Sequence, residues 1–476
     1  MKVLFYPIYV PSPHFETELE LIKKHIENKD KVMVLVCKGN LKTCFYNPHH
    51  LRSKCIECHS KVMNGLKLVK NENLRILKYP KIKIDYSRLP DKFDNIDSLK
   101  SFSIDNVTIG LAAASSLISR LNREHKLDTL KHGKDVNVEI KNSYYLAKVF
   151  ESLIKFLKPD FVYIFNGRIA TTAPVVDVCK NTNTEFITHE RGGQIDRYWL
   201  IKCGIPHDLE KVYKEIEDIW SNTNSVKREE LGAKFFLDRR NRIEQGWYSF
   251  VKNQNLNSLP VSFNKNRKNV IFYNSTIEEF AAVKGWEKPL FLFNNEIEAI
   301  EDIVNQFKTD PSVYFYLRVH PNLKGFDNSQ TRDIKELSSK YSNFEVILPE
   351  SIIDSYSLLD NSDLVITFGS TIGIEAVFFG KPSVQLGLAF YNQTSSVYIP
   401  KTKNQIYEYV KNIPPVLNRE GALKYGLWEL NRGFKFEYFN PLDLTSGTFL
   451  GKLIKPSLFV RIVLKLYSLL IYCLKK

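Results

Sequence analysis

Short apolar runs separated by stretches of helical spacing most constrain what this chain can become. The runs "KVLFYPIYV" (2–10), "KVMVLVC" (31–37), "DFVYIF" (160–165) and "TEFIT" (184–188) each have the length of one strand buried on both faces. Helical patterns fall between and after them, near 16–28, 106–124, 137–158 and 206–252. Strand, helix, strand in that order predicts an α/β fold built on a doubly wound parallel sheet. Residues 253–268, "NQNLNSLPVSFNKNRK", break the alternation with the Asn, Ser, Pro and Lys of a linker. A second alternation follows, with strands at 269–274, 313–319, 344–348, 363–368 and 383–386 and helices near 294–307, 330–341 and 372–379. The expectation is two Rossmann-like domains facing across a cleft, over 1–255 and 265–415, then a helical return segment over 416–455.

Residues 456–476, "PSLFVRIVLKLYSLLIYCLKK", differ in kind: four cations, no acid, and otherwise mainly Leu, Ile, Val, Phe and Tyr. A spanning helix wants about 20 uninterrupted apolar residues, and Arg461 and Lys465 interrupt this run. At helical spacing they share a stripe with Ser468, which predicts a basic amphipathic helix lying in a membrane interface. The competing expectation is a helix packed across the two domains. The formal net charge of +14 favours an anionic partner. No basic run interleaved with aromatics marks a nucleic-acid channel. The opening run is too short, and too interrupted by Pro7 and Pro11, for a secretion signal. A cytoplasmic protein, peripheral at the inner face of the cytoplasmic membrane, is therefore expected.

The polar turns after the strands carry the chemistry. "DLVITFGSTIGIEAVFFGKPSVQL" (363–386) runs from a strand through Gly369, Ser370, Thr371 and Gly373 into a helix bearing Glu375. Small residues, hydroxyl donors and a helix start at the carboxyl end of a strand suit a phosphate, and Glu375 suits the two hydroxyls of a ribose. An N-capped helix with Glu375 merely favourable to the dipole is the plainer alternative. "YLRVHPN" (316–322) leaves Arg318 and His320 at a second strand end, where an imidazole can donate to a phosphate oxygen. "FYNSTIEEF" (272–280) brings Ser275 and Thr276 to the same rim.

"RVHPN" followed by "SDLVITFGSTIGIEAVFFGKPSV" resembles the donor-binding half of bacterial capsular polysaccharide glycosyltransferases of the two-Rossmann, GT-B type. The His-Pro and Ser/Thr pair is similar to that of sialyl-, Kdo- and polyol-phosphate transferases with CMP- or CDP-linked donors, and the Gly-Ser…Glu-Ala…Gly-Lys-Pro cadence is shared with UDP-sugar 2-epimerases. The resemblance is specific over about 270–390 and looser over 160–200. It implies that His320, Ser370 and Thr371 contact donor phosphate and Glu375 the ribose. It further implies an inverting transferase that moves a sugar from a CMP- or UDP-linked donor to a capsule or lipopolysaccharide glycan, with no metal required for transfer. A hydrolysing UDP-sugar 2-epimerase and a non-catalytic capsule-assembly scaffold are the rivals.

The first half should hold the acceptor and the base. "FNGRIATTAP" (165–174) presents Asn166 and Arg168, and "ITHERGGQIDRYWL" (187–200) presents Glu190 and Arg191. Glu190 is a candidate general base, with the two arginines for anionic acceptor groups or for pairing with Glu190 itself. His14 and Glu16, in "PSPHFETE", are the other candidates. The Asp/Glu-Asp/Glu-Gly base motif of sialyltransferase-like members is absent from its expected region, so the three remain open. Cys37, Cys44, Cys55 and Cys58 would either order a loop around a structural zinc or stand as free thiols in it.

Overall fold

The computed structural model describes residues 1–286 and 290–474, with side chains through Leu466 in the last helix. Its contacts divide the chain into two units. Unit 1 comprises residues 1–121, 127–206 and 433 onward; unit 2 comprises 122–126 and 207–432.

Unit 1 contains strands β1 (Lys2–Phe5), β2 (Lys31–Leu35), β3 (Leu74–Leu77), β4 (Phe161–Phe165), β5 (Glu185–Arg191) and β6 (Arg197–Lys202). Its helices are α1 (His14–Glu27), α2 (Arg52–Leu68), α3 (Ile96–Ser101), α4 (Ile109–Arg120), α5 (Gly133–Leu157) and α6 (Ala173–Asn181). Unit 2 contains β7 (Lys268–Tyr273), β8 (Val313–Arg318), β9 (Phe344–Ile347), β10 (Leu364–Thr367) and β11 (Ser383–Gln385). Its helices are α7 (Leu209–Asn222), α8 (Ser225–Arg240), α9 (Glu296–Gln306), α10 (Ser329–Leu337), α11 (Ser355–Asp360), α12 (Ile372–Phe378), α13 (Lys403–Lys411) and α14 (Arg419–Asn431). The chain then returns to unit 1 with β12 (Phe434–Lys435), β13 (Phe439–Asp443), β14 (Ser446–Phe449), β15 (Lys452–Leu453) and α15 (Leu458–Leu474).

Both units are doubly wound. The unit 2 sheet runs β11-β10-β7-β8-β9, all parallel, so the order reverses direction between β7 and β10. Unit 1 repeats this order as β5-β4-β1-β2-β3 and extends it with antiparallel β6 and β12. The core strands are apolar at every interior position because helices cover both faces: Val3 to Phe5, Val32 to Leu35, Val270 to Phe272 and Leu364 to Ile366 are buried. Such sheets bind ligands outside the carboxyl ends of the strands at the point of reversal, which puts one such place in each unit.

The chain leaves unit 1 at Pro206, whereas the sequence pattern placed the end of the first domain at 255. Packing explains the difference. In α8, a Cβ on Gly232 would come within 2.4 Å of the Leu423 carbonyl, and one on Gly426 of α14 within 2.3 Å of the Gly232 carbonyl, so the two backbones nearly touch. Phe236 of α8 stacks on Phe378 of α12 at 4.4 Å. The expected linker is likewise part of unit 2: Asn255 N–H donates to the Ile352 carbonyl at 2.7 Å. The return segment is helical only through α14, and the strands β12 to β15 follow it.

That return is held by a carboxylate. Glu20 of α1, fully buried, accepts from the backbone N–H groups of Glu437 (2.8 Å), Tyr438 (2.9 Å) and Phe439 (3.2 Å), with the Lys24 ammonium 3.4 Å away. Phe439 and Phe449 then join the core formed by Phe15, Leu19 and Ile22. Removing this acceptor strands three amides. Glu20→Ala is expected to cost about 3 kcal/mol in chemical denaturation, at roughly 1–3 kcal/mol for each buried donor left unpaired. Hydrogen exchange at the amides of 437–439 should accelerate with it, and unchanged protection there would refute the role.

Candidate functional site

In unit 2 the three polar turns emerge level with one another. Tyr273, Arg318 and Thr367 are mutual register partners at the ends of β7, β8 and β10, so Ser275, His320 and Gly369 follow at similar height. This is the reversal point of the sheet.

The turn after β7 is pinned from beneath. Glu296, at the start of α9, accepts the Ser275 N–H at 3.3 Å, and Gln330 of α10 donates to the Ser275 carbonyl at 2.7 Å. Gln330 also reaches Glu296 at 3.3 Å and accepts the Ile277 N–H at 3.3 Å. With both sides of the peptide held, the Ser275 and Thr276 hydroxyls are left buried without hydrogen-bond partners. Burial pushes the Glu296 carboxyl up to about 8, against the opposing bonds from Ser275, Gln330 and Asn274.

His320 is placed by its neighbours. Its N–H donates to the Asn274 side-chain oxygen at 2.8 Å, and its Nδ1 accepts the Asn322 N–H at 3.1 Å. The imidazole proton therefore sits on Nε2, which makes that nitrogen a donor. Burial and the charges of Arg318, Arg239 and Arg123 depress its pKa to about 4. At neutral pH the ring is an uncharged donor in a positive field, as a phosphate oxygen requires.

The three arginines have different duties. Arg318, 2% exposed, spends its guanidinium on Ser355 Oγ and the Leu348 and Ser351 carbonyls, at 3.2, 2.7 and 3.2 Å. It braces the strand end and supplies field, rather than reaching a donor directly as the sequence suggested. Arg123 donates to the Asn322 carbonyl at 2.9 Å and lies over the Phe326 ring at 4.2 Å. Arg239, at the end of α8, donates to Glu375 at 3.0 Å and to the Thr371 hydroxyl at 3.2 Å.

Glu375 departs furthest from its expected role. It is fully buried; one carboxylate oxygen takes Arg239 and Thr371 (3.1 Å), and the other takes the Tyr356 hydroxyl at 2.6 Å. Both oxygens are engaged, so the carboxylate positions Thr371 and Arg239 instead of presenting itself to a ribose. The glycines also separate. Gly369 has φ +143° and lies beside Ser275 Oγ, whereas Gly373 is required by the Tyr391 and Thr367 hydroxyls, 2.7 and 2.5 Å from where its Cβ would be. α12 has seven residues, so the anion donors here are side chains and turn amides more than a helix dipole. Ser370 and Thr371 remain partly exposed at its start.

In unit 1 the strand ends at the reversal gather His14, Asn166 and Glu190. Asn166, in the left-handed region at φ 55°, donates to Glu190 Oε2 at 2.8 Å, and the Arg191 N–H donates to Oε1 at 3.0 Å. His14 Nδ1 is 3.6 Å from Oε1, beyond hydrogen-bond length. Burial holds the His14 pKa down at about 3 despite Glu190. Burial pushes Glu190 up, but His14, Asn166 and the Arg191 N–H outweigh it and keep the carboxyl below its usual range. With His14 uncharged at neutral pH, the two hydrogen bonds are what persist. Glu16 is buried and faces the Lys61 ammonium at 3.5 Å. Arg191 clamps the Ser12 carbonyl (3.1 Å) and the Leu444 carbonyl. Arg168 follows Asn166 and is half-buried, its N–H on the Asn166 side chain. Behind them Glu18 and His189 form a fully buried pair at 3.0 Å, which no local pattern announces.

The cysteines lie near one another: Cys37 and Cys44 in the loop after β2, Cys55 and Cys58 on α2. Asn47 donates to both Cys44 Sγ and Cys55 Sγ at 3.2 Å. Burial pushes the Cys44 and Cys58 thiols up to about 12. Among the described residues no group of three or more His, Cys, Asp or Glu side chains stands where it could hold a metal.

Residues 240–395, from the end of α8 past β11, match the family model described as capsule polysaccharide biosynthesis protein. The match contains the Ser275, His320 and Ser370 turns, and the family is the one their motifs resemble. No curated protein sequence matches the chain significantly. Among solved structures, Thermosulfurimonas dismutans KpsC, titled beta Kdo 2,4 transferase, aligns with a TM-score of 0.37 and 13% identity, over 56% of this chain and 79% of that one. The same organism's KpsC, titled beta Kdo 2,7 transferase, gives 0.34 and 13%, over 59% and 80%. The UDP-GlcNAc 2-epimerase of Neisseria meningitidis gives 0.28 and 13%, over 90% and 96%.

Glu296 supplies a pH signature. Its folded pKa, about 8, lies above the value of an unfolded glutamate, so its contribution to stability is fully present below the unfolded pKa and is lost as pH rises through 8. Wild-type stability should therefore fall between about pH 4.5 and 8, by up to about 1.4 kcal/mol per pH unit from this group. Glu296→Gln, which keeps the shape and removes the proton, should flatten that slope in denaturation at a series of pH values. Parallel slopes for the two proteins would place the ionisation elsewhere.

Proposed function

We propose that this protein is an inverting glycosyltransferase that moves a sugar from a CMP- or UDP-linked donor to a growing capsule or lipopolysaccharide glycan. The observation that carries the reading is the unit 2 reversal point within the matched segment: a neutral His320 donor, two buried unpartnered hydroxyls and the Ser370–Thr371 turn, in the field of three arginines. That is an anion site that supplies its positive charge from side chains, so departure of a nucleotide phosphate needs no divalent metal.

The acceptor hydroxyl attacks the anomeric carbon opposite the phosphate. The new C–O bond forms as the bond to the phosphate oxygen breaks, and the electron pair leaves on the nucleotide. His320 Nε2–H and the unpartnered Ser275 hydroxyl stabilise that oxygen charge beside the Ser370–Thr371 turn, and Glu190 takes the hydroxyl proton, held in its ionised form by Asn166 and the Arg191 N–H. His14 lines the same strand ends as an uncharged neighbour. The partners are a nucleotide sugar and a glycan or lipid-linked glycan.

Incubation with a panel of nucleotide sugars, with and without glycan acceptor, should show nucleotide release that depends on acceptor. His320→Ala should lower turnover by about 10²–10³, and Glu190→Gln should abolish transfer while nucleotide still binds. Release of UDP without acceptor, accompanied by a 2-epimeric sugar, would make the protein an epimerase instead; binding without turnover would make it a scaffold.

The reading includes a place of work at the inner face of the cytoplasmic membrane. α15 exposes Leu458, Phe459, Ile462, Val463 and Leu466 together with Arg461 and Lys465. Among the described residues no helix is long and apolar enough to cross a membrane. Lys475 and Lys476 lie outside the described residues. An apolar face with interspersed cations suits adsorption to an anionic leaflet. Deleting residues 456–476 should abolish co-sedimentation with anionic vesicles and leave turnover on a short soluble acceptor intact. Equal sedimentation with and without the tail would remove the membrane role.

A further inference from the structure

The first turn of α15 and the outer face of α2 line an open cavity of about 350 Å³. Its wall includes Ile56, His59, Met63 and Lys67 of α2, Lys38 from the loop after β2, and Val460 of α15. Positions 56, 59, 63 and 67 follow the three- and four-residue spacing of one helix face. The wall is fixed in place: Ser457 N–H donates to Ser60 Oγ at 2.8 Å, and the Asn64 side chain donates to the Lys455 carbonyl at 2.9 Å.

The charge of this wall is one-sided. It carries two lysines and an imidazole, with no Asp or Glu. On the same helix Lys54 is paired with Glu57 and Lys61 with Glu16. Among the described residues, neither Lys38 nor Lys67 has such a carboxylate partner. His59 Nδ1 is buried without a hydrogen-bond partner, and burial together with Lys38 disfavours the charged ring. The rest of the wall combines Cys55, Ile56, Met63 and Val460 with the uncharged Ser60, Asn64 and Ser457, and the helix beside it exposes a run of Leu, Phe, Ile and Val. Two unpaired ammoniums beside an apolar track match an amphiphile with an anionic head better than they match a soluble anion.

We propose that this cavity receives the phosphodiester headgroup of an anionic phospholipid, with the acyl chains continuing along the exposed side chains of α15. Lys38 and Lys67 contact the phosphate oxygens, and Ile56, Met63 and Val460 contact the glycerol and first methylenes. The inference deepens the membrane reading of α15 and rests on it: it adds a stoichiometric headgroup site to what would otherwise be general adsorption.

Two measurements separate the cases. The first titrates the intact protein with dihexanoyl phosphatidylglycerol below its micelle concentration, by calorimetry, alongside dihexanoyl phosphatidylcholine and inorganic phosphate. The expected result is one saturable site for phosphatidylglycerol, weakened about thirtyfold in Lys38→Gln/Lys67→Gln, which corresponds to about 1 kcal/mol for each lysine. The control Lys70→Gln/Lys455→Gln removes two exposed cations outside the wall and should bind as wild type. Equal weakening in the control would reduce the effect to net charge and overturn the site. Inorganic phosphate binding as tightly as the lipid would overturn the lipid assignment, as would equal binding of phosphatidylcholine.

The second compares sedimentation of the same proteins with phosphatidylglycerol-containing and pure phosphatidylcholine vesicles. The wall variant should lose the preference for the anionic vesicles. If the short-chain lipid binds but no vesicle is retained, the membrane reading fails and the headgroup site stands. If vesicles are retained and the wall variant keeps the anionic preference, the site fails and the membrane reading stands. Thermal melts equal to wild type confirm that the variants fold.

Discussion

The contact between the buried Glu375 and the half-buried Arg239 sets the geometry of the unit 2 site. A carboxylate withdrawn from water must be matched on both oxygens or it shifts towards its neutral form. Here Arg239 and Thr371 satisfy one oxygen and Tyr356 the other. The pairing fixes three elements at once: the end of α8, the start of α12 and the first turn of α11. Thr371 donates its hydroxyl proton to that carboxylate and accepts from Arg239, so the start of α12 is held in one orientation. The same ion pair binds α8 to the sheet that follows it in sequence, and so the chain enters unit 2 at residue 207 and not at the polar stretch some fifty residues later.

The two units reach the same strand order with different chemistry at the reversal. Unit 2 gathers cations and hydroxyl donors and keeps its acids buried below the turn, at Glu296 and Glu375. Unit 1 gathers an ionised carboxylate supported by two N–H donors, with an uncharged imidazole beside it. In the proposed reaction the first would stabilise negative charge developing on the departing group, and the second would accept a proton. A shared scaffold thus holds opposite electrostatic environments, and the side chains after each strand decide which.

Much of this could be read from the sequence, for identifiable reasons. Parallel strands covered on both faces must be continuously apolar, so "KVMVL", "FVYIF" and "LVIT" stand out. Turns after those strands are then located by counting, which brought Ser275, His320 and Ser370 forward together. The edge strands β3 and β12 escaped because β3 exposes two of its four residues and β12 both of its two. α2 escaped because it buries only Val62, Gly65 and Leu66 and shows no stripe. The roles of charged residues were hardest to see. Glu375 has the spacing of a ribose ligand, but its partner Arg239 lies 136 residues away. Glu16, Glu18 and Glu20 look like the solvent face of α1, yet all three are buried, each against a group supplied by another part of the chain.

The Glu20 contact has a consequence for how the protein is made. Residues 207–432 are inserted in the chain between two parts of unit 1, and the amides that Glu20 binds lie 417 to 419 positions after it. During synthesis from the N-terminus, α1 therefore emerges with only Lys24 of its own helix beside this carboxylate, and its three amide donors follow more than four hundred residues later. Unit 2, whose own residues are all present earlier, can complete its core first. The nascent unit 1 must wait with an open edge at β6 and with a buried acceptor that still lacks its three amide donors. Its interval of vulnerability is thus set by the rate of translation across some two hundred codons, not by the speed at which its own helices and strands form.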